Sequence, residues 1–194
     1  MEKPVAPPNE QERLSALANY EVDYHLRASD YQDLTRIAAQ VCQTQQAFIS
    51  LISEEQQCFL AQLGFTLADT PREHAFCAHL LTSTDEFMMV PDAREDSRFH
   101  DNPYVTGYPY IVFYAGAPLI NEAGFRLGTI CVVDAKPGYL TEHQISALQS
   151  LAKQVVAQME LQKQQKELDR TRETLQQKNQ ELEEFAHRAA HDLK

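Results

Sequence analysis

Few groups in this 194-residue chain can do chemistry. Four cysteines, Cys42, Cys58, Cys77 and Cys131, lie 16, 19 and 54 residues apart and form no CxxC. That spacing suggests neither a disulfide framework nor a thiolate metal site, and reduced thiols of this kind behave as small buried hydrophobes. His74, Cys77 and His79 make an H-x2-C-x-H string. One helical turn sends those three side chains to different faces, and no fourth ligand follows at a sensible spacing, so no metal is expected. His187 and His191 stand four residues apart, either as incidental polar residues or as a chelating pair, and the carboxylate of Asp192 adjoins the second.

The elements that must position these groups are readable from periodicity and punctuation. Residues 1–9 contain Pro4, Pro7 and Pro8 and read as a flexible tail. Leu14, Leu17 and Ala18 then recur at helical spacing. A second helix starts near Ser29 or Asp30, both plausible N-caps, with Tyr31, Leu34, Ile37, Ala38 and Val41 on one face. The helical period ends there, and 47–53 and 57–63 are short, β-prone runs that suggest a hairpin across the polar tetrad 53–56. Pro71 opens a short helix through Leu81. Residues 87–90 form a third strand, and 92–110 a long loop with one helical turn. Residues 111–120 and 126–134 are the best strands, joined by Asn121-Glu122-Ala123-Gly124.

Thr141 caps a final helix, and the 54 residues from it to Lys194 contain no Gly or Pro. Fully helical, they extend roughly 80 Å, so the helix is expected to leave the globule. Leu148, Leu151, Val155 and Met159 follow the stripe of a helix on a core. Beyond them Leu161, Leu168, Leu175, Leu182 and Ala189 recur every seven residues, a coiled-coil seam. Its companion position carries Gln165, Arg172, Asn179 and Ala186. Half of the seam is therefore polar, which weakens a coil but sets its register, Asn179 especially. A parallel homodimer through this helix is the expected assembly, with a lone amphipathic helix on another domain as the alternative. A weakly specified seam suits a transmitter, because small free energies shift it between packings.

Charge narrows the partners. The chain carries 17 basic and 28 acidic residues, a net charge of -11. Residues 160–194 hold eight acids and seven bases, leaving twenty acids and ten bases in residues 1–159. Phosphate backbones and anionic lipids repel so acidic a body, so no nucleic acid is expected. No apolar run approaches the roughly 20 residues of a membrane span, and the N-terminus lacks the apolar stretch of a signal peptide. A cytoplasmic location is the default.

Two resemblances give these elements a function. The blocks AFCAHLL (75–81), VPDAREDSRF (90–99), NPYVTGYPYIVFYAGAPL (102–119), GFRLGTICVVD (124–134) and LTEHQISALQSLAKQVVAQMEL (140–161) resemble the GAF domains at the front of bacterial sensor kinases and diguanylate cyclases. The resemblance implies an α+β fold over residues 10–160: a central antiparallel β-sheet flanked by helices, followed by the long C-terminal coiled-coil helix. One departure is Val112, where that subgroup commonly has Arg; its loss counts against an anionic ligand. The second resemblance is NQELEEFAHRAAHDLK (179–194), similar to the opening of a histidine-kinase dimerisation and phosphotransfer domain. It makes 161–184 a signalling helix and 185–194 the truncated start of the phosphoacceptor domain. His191 then matches the phosphoacceptor, whose ring nitrogen attacks a γ-phosphoryl group while Asp192 orients the ring and accepts its proton.

The resemblance to GAF domains further implies a small-molecule pocket between one sheet face and the covering segments 72–81 and 92–114. Its candidate residues are Phe76, Cys77, His79, Asp92, Tyr110, Phe113 and Tyr114. Each also has an ordinary reading as core, half-buried strand residue or turn acceptor. The bilin-attaching Cys-His pair of GAF photoreceptors is interrupted by Ala78. The N-K-F-D-E string of cyclic-nucleotide-binding GAF domains is absent, and neither haem nor another cofactor is indicated.

The expected function is the sensory module of a two-component sensor histidine kinase, coupling small-molecule or redox input through a dimeric coil to the kinase and its response regulator. With no ATP-binding domain, the chain as given is not expected to be an enzyme, whereas its parent protein would be an ATP-dependent histidine kinase. The alternatives are a ligand-free dimerisation module, a GAF-type free methionine sulfoxide reductase using its thiols, and a bilin photoreceptor.

Overall fold

The computed structural model describes residues 1–22 and 29–192, with backbone alone at 29–30 and 189–192. The chain divides into two compact units, 1–157 and 158–194.

In the first unit, α1 (Glu10–Ala18) and α2 (Ser29–Cys42) precede a hairpin of β1 (Gln46–Ile52) and β2 (Gln56–Leu63). Ser53 closes its turn, accepting from the Gln56 N–H through Oγ at 3.0 Å. The two-residue β3 (Thr70–Pro71) leads into two 3-10 segments, Arg72–His74 and Phe76–Leu81. The expected single helix is split there because Ala75 is extended, with φ -79° and ψ 118°. Then come β4 (Met88–Val90), the single-turn α3 (Pro103–Thr106), β5 (Phe113–Ile120), β6 (Arg126–Asp134) and α4 (Glu142–Asp192).

The six strands form one antiparallel sheet in the order β3-β2-β1-β6-β5-β4. Period-two alternation gives it two different faces. Ala47, Ile49 and Leu51 of β1 and Ile130 and Val132 of β6 are fully buried on the face that α2 covers. Phe48, Ser50 and Ile52 alternate with the first set, and with Cys131 and Val133 they face the Phe76–Leu81 segment. A bulge between Ile49 and Ser50 leaves Leu60 of β2 without a partner.

α2 turns differently from the sequence expectation. Tyr31, Thr35, Ala38, Ala39 and Cys42 are buried, while Ile37 and Val41 are exposed. The single face expected from spacing is therefore only partly the buried one: Tyr31 and Ala38 meet the sheet together with Thr35, Ala39 and Cys42, and Ile37 and Val41 do not. The side chains of Ser29 and Asp30, expected as caps, lie outside what the structure describes.

α1 contributes a feature the periodicity did not reveal. Arg13 is almost wholly buried, donating to Glu10 at 2.7 and 2.8 Å and to the Ile52 carbonyl at 2.8 Å. Arg72 reaches the same Glu10 carboxylate at 2.5 Å. Burial opposes ionisation of Glu10, but the bonds from Arg13 and then Arg72 outweigh it and lower its pKa. Residues 1–9 also make contacts: the Glu2 N–H donates to the Arg98 carbonyl, Lys3 pairs with Glu73, and the Met1 amine pairs with Asp101.

α4 starts in a capping box. The Gln144 N–H donates to Thr141 Oγ1 at 3.3 Å, and the Thr141 N–H donates back to Gln144 Oε1 at 2.9 Å. Leu148, Ala152, Val155 and Val156 are buried. The helix is unbroken to Asp192. In the second unit Leu161, Leu168, Leu175 and Leu182 are 57–64% exposed. No helix among the described residues is long and apolar enough to cross a membrane.

Candidate functional site: a buried dithiol under an aromatic stack

The chemistry-bearing face of the sheet is assembled from side chains two residues apart on neighbouring strands. Thr129 and Cys131 share a face of β6, as Tyr114 and Gly116 do on β5, and Gly116 pairs with Cys131. From the opposite side the Phe76–Leu81 segment lowers Cys77 onto them. The two sulfurs lie 3.4 Å apart, and neither has exposed surface. The Tyr114 hydroxyl stands 3.1 Å from Cys131 Sγ and 3.4 Å from Cys77 Sγ. Thr129 Oγ1 lies 2.8 Å from Cys131 Sγ. Gln57 Nε2 donates to Cys77 Sγ at 3.3 Å and to Ser50 Oγ at 2.9 Å, and Ser50 Oγ donates on to Cys77 at 3.6 Å. Thr70 Oγ1 completes the chain by donating to Gln57 Oε1 at 3.2 Å. A polar network this complete inside an apolar core needs every member bonded, because an unpaired hydroxyl there costs more than its bond returns.

Gly116 makes the room. A Cβ at that position would run into the Tyr114 hydroxyl and come 3.1 Å from the Cys131 sulfur. The tyrosine folds over its own strand because no side chain stands in the way.

Burial works against ionisation of both thiols. For Cys77 the hydrogen bonds with Cys131, Thr129, Tyr114 and Ser50 outweigh it and bring the thiol down to about 7. Cys131 goes the other way, pushed well up by burial and then by the Cys77 sulfur. Tyr114 is likewise raised by burial and the two sulfurs. The remaining thiols behave as the sequence implies: burial pushes Cys42 and Cys58 up to about 11.

Above the dithiol lies an aromatic stack. Phe76 stacks on Phe99 at 4.1 Å and on Tyr114 at 5.1 Å between ring centroids. His79 meets the edge of Phe99 at 4.9 Å, and the Arg98 guanidinium lies 4.9 Å over the same ring. Burial and then the Arg98 charge lower the His79 pKa, which favours neutral imidazole. Asn102 pins the covering loop: its Nδ2 donates to the His74 carbonyl at 2.9 Å, and its Oδ1 caps α3 by accepting from the Tyr104 N–H.

The sequence candidates therefore separate. Phe76, Cys77 and Tyr114 share one cluster, and His79 joins it through Phe99. Asp92 instead clamps Arg94, accepting at 2.9 and 2.6 Å, and those bonds hold its carboxyl below the usual range. Tyr110 is exposed, with φ +61°. Phe113 adjoins Tyr114 on a strand and so faces the other way. It lines an open cleft of about 720 Å³ with Cys42, Thr44, Asp134, Lys136 and His143. Val112 is buried. Ser50, Gln57 and Thr129 were absent from the sequence reading; the signal that could have found them is the same-face spacing Thr129-x-Cys131. No group of three or more His, Cys, Asp or Glu able to hold a metal occurs among the described residues. The side chains of His191 and Asp192 lie outside the described residues.

Residues 30–159 match the GAF domain family. The chain belongs to it. Over 130 residues it is 40% identical to a cyclic di-GMP phosphodiesterase of Pseudomonas aeruginosa, a match covering 66% of this chain and 22% of that protein. The chain thus spans about a fifth of that curated relative. Two solved structures share the fold. One is a domain assigned to a two-component sensor histidine kinase of Sinorhizobium meliloti, with TM-score 0.54, 16% identity, and coverage of 74% of this chain and 96% of that one. The other is a type II free methionine-R-sulfoxide reductase from Thermoplasma acidophilum, with TM-score 0.57, 12% identity, and coverage of 70% and 94%. At those identities the likeness is one of fold alone.

Proposed function

We propose that this GAF domain is the sensory module of a cytoplasmic two-component sensor histidine kinase, acting as a homodimer through its C-terminal helix. The observation that carries the reading is α4. It is one 51-residue helix whose early turns bury Leu148, Ala152 and Val155 and whose later turns expose leucines every seventh residue. Leucines so spaced and so exposed in a single chain gain by meeting the same row on a second copy. Input at the sheet would bias the packing of that row, and only an input with different affinity for the two packings can do so. The resemblance of 179–194 to the start of a phosphotransfer domain supports His191 as the phosphoacceptor, Asp192 as its assisting carboxylate and a response regulator as the next partner. The phosphodiesterase relative is consistent with the same kind of module serving a different output enzyme.

The test uses a longer protein containing the kinase core. His191→Gln is expected to abolish autophosphorylation while leaving the dimer intact, and retained phosphate would overturn the assignment. In the 194-residue chain, sedimentation is expected to report a dimer that Leu168→Ala with Leu175→Ala converts to monomer.

A second reading, a ligand-free dimerisation module, is favoured by the stack of Phe76, Phe99 and Tyr114, which fills the region between sheet and cover. A metabolite that raises Tm would separate the two, because a ligand stabilises only a state that binds it.

A further inference from the structure

We propose that Cys77 and Cys131 are a reversible redox pair, closed to a disulfide by a small hydroperoxide. Their sulfurs are in contact at 3.4 Å, and a bond requires them to approach by roughly 1.4 Å more. Cys131 is held on a central strand, paired on both sides. Cys77 sits on a 3-10 segment outside the sheet ladder, where hydrogen-bond geometry is weaker and a small shift is cheap. The approach is therefore made by one partner against a fixed other.

The surroundings argue against two inert core thiols. A buried cysteine acting as a small hydrophobe needs only apolar neighbours. Here the hydroxyls of Ser50, Tyr114 and Thr129 and the amide of Gln57 converge on the two sulfurs, and Gly116 leaves the space that lets Tyr114 reach them. Donors gathered on a sulfur stabilise its thiolate, the nucleophilic form.

The chemistry balances with one co-reactant. The Cys77 thiolate attacks the terminal oxygen of the hydroperoxide, the O–O bond breaks, and an alcohol, or water from hydrogen peroxide, leaves with the proton that the thiol gave up. Cys77 is now a sulfenic acid. Cys131 attacks that sulfur, the S–O bond breaks, and water departs with the Cys131 proton. The two thiols have lost two electrons and the peroxide has gained them. A dithiol reductant reverses the step. Because neither sulfur has exposed surface, the oxidant must be small and uncharged and must enter as the Phe76–Leu81 cover opens. As regulation, the proposal rests on the sensory reading: closure would pin that cover to β6, the strand that leads toward α4.

The experiment exposes the folded 194-residue chain to hydrogen peroxide, removes the excess, alkylates in denaturant and weighs the product. Two of the four thiols are expected to become unreactive, with a Cys77–Cys131 link in the peptide map and all four thiols returned by dithiothreitol. Cys42→Ala with Cys58→Ala should still lose two thiols. Cys131→Ser should stop at a sulfenic acid on Cys77, trapped by dimedone. Oxidised glutathione, too large to enter, should add nothing to the folded chain. Four thiols still reactive after peroxide, a link through Cys42 or Cys58, or a link between two chains would each overturn the proposal. The thiol count needs no output domain, so its failure leaves the sensory reading standing. A monomeric chain would sink that reading without changing the count.

Discussion

The two faces of the central sheet are built from the same strands and to opposite specifications. Under α2 the side chains are aliphatic, fully buried and without hydrogen-bonding groups: Ala47, Ile49, Leu51, Ile130 and Val132. Under the Phe76–Leu81 cover they include Ser50, Gln57, Tyr114, Thr129 and Cys131, joined by one hydrogen-bond network. Alternation lets neighbouring residues such as Ile130 and Cys131 serve different ends. One face supplies stability that depends on volume. The other spends burial on polar groups, and a sensor domain has a use for groups whose state can change.

The largest effect should come from the aliphatic face. Ile49→Ala removes a fully buried side chain from a site that cannot refill, and about 2–5 kcal/mol of stability should be lost in urea unfolding. The thiol count after peroxide is expected to be unchanged in the protein that remains folded. A smaller loss, about 1–3 kcal/mol, is expected from Gly116→Ala on the polar face, where the new methyl group meets the Tyr114 hydroxyl and the Cys131 sulfur. This variant should also slow closure of the dithiol. If it closed the pair at the wild-type rate, the polar face would be no more specialised than the aliphatic one.

The smallest effect lies outside both faces, where Glu10, Arg13 and Arg72 tie α1 to the strand ends. Glu10 has a folded pKa below its ordinary value of 4.5, so the unfolded chain binds its proton more readily. Its contribution is complete above pH 4.5 and is lost as the pH falls through the folded pKa. Glu10→Gln should flatten that acid limb of the stability curve. An unchanged limb would show that the carboxylate is not held by its arginines.

Much of the scaffold could be read along the chain. The 126–134 strand, both hairpin turns and the capped start of α4 follow from local signals: a short β-prone apolar run, Gly124 at φ +84°, and Thr141 three residues before Gln144. The face of α2 could not be read so well, because Ile37 and Val41 fit a helical stripe as well as the residues that meet the sheet. The candidate site was half legible. Phe76, Cys77 and Tyr114 were chosen by resemblance and do lie together, but Phe113 was grouped with Tyr114 although a strand must separate them.

What the amino-acid order determined by itself is therefore what depends on near neighbours: helix starts, strand period, turns, and the seven-residue rhythm of α4. Interactions within a few residues act whatever the rest of the chain does. The tertiary structure alone decided that Cys77 meets Cys131 across 54 residues, that Gly116 opens the space for a tyrosine on its own strand, and that Arg13 is buried. Each of those depends on which surfaces the folded sheet and its cover bring within bonding distance, and no local pattern encodes a distance between segments so far apart.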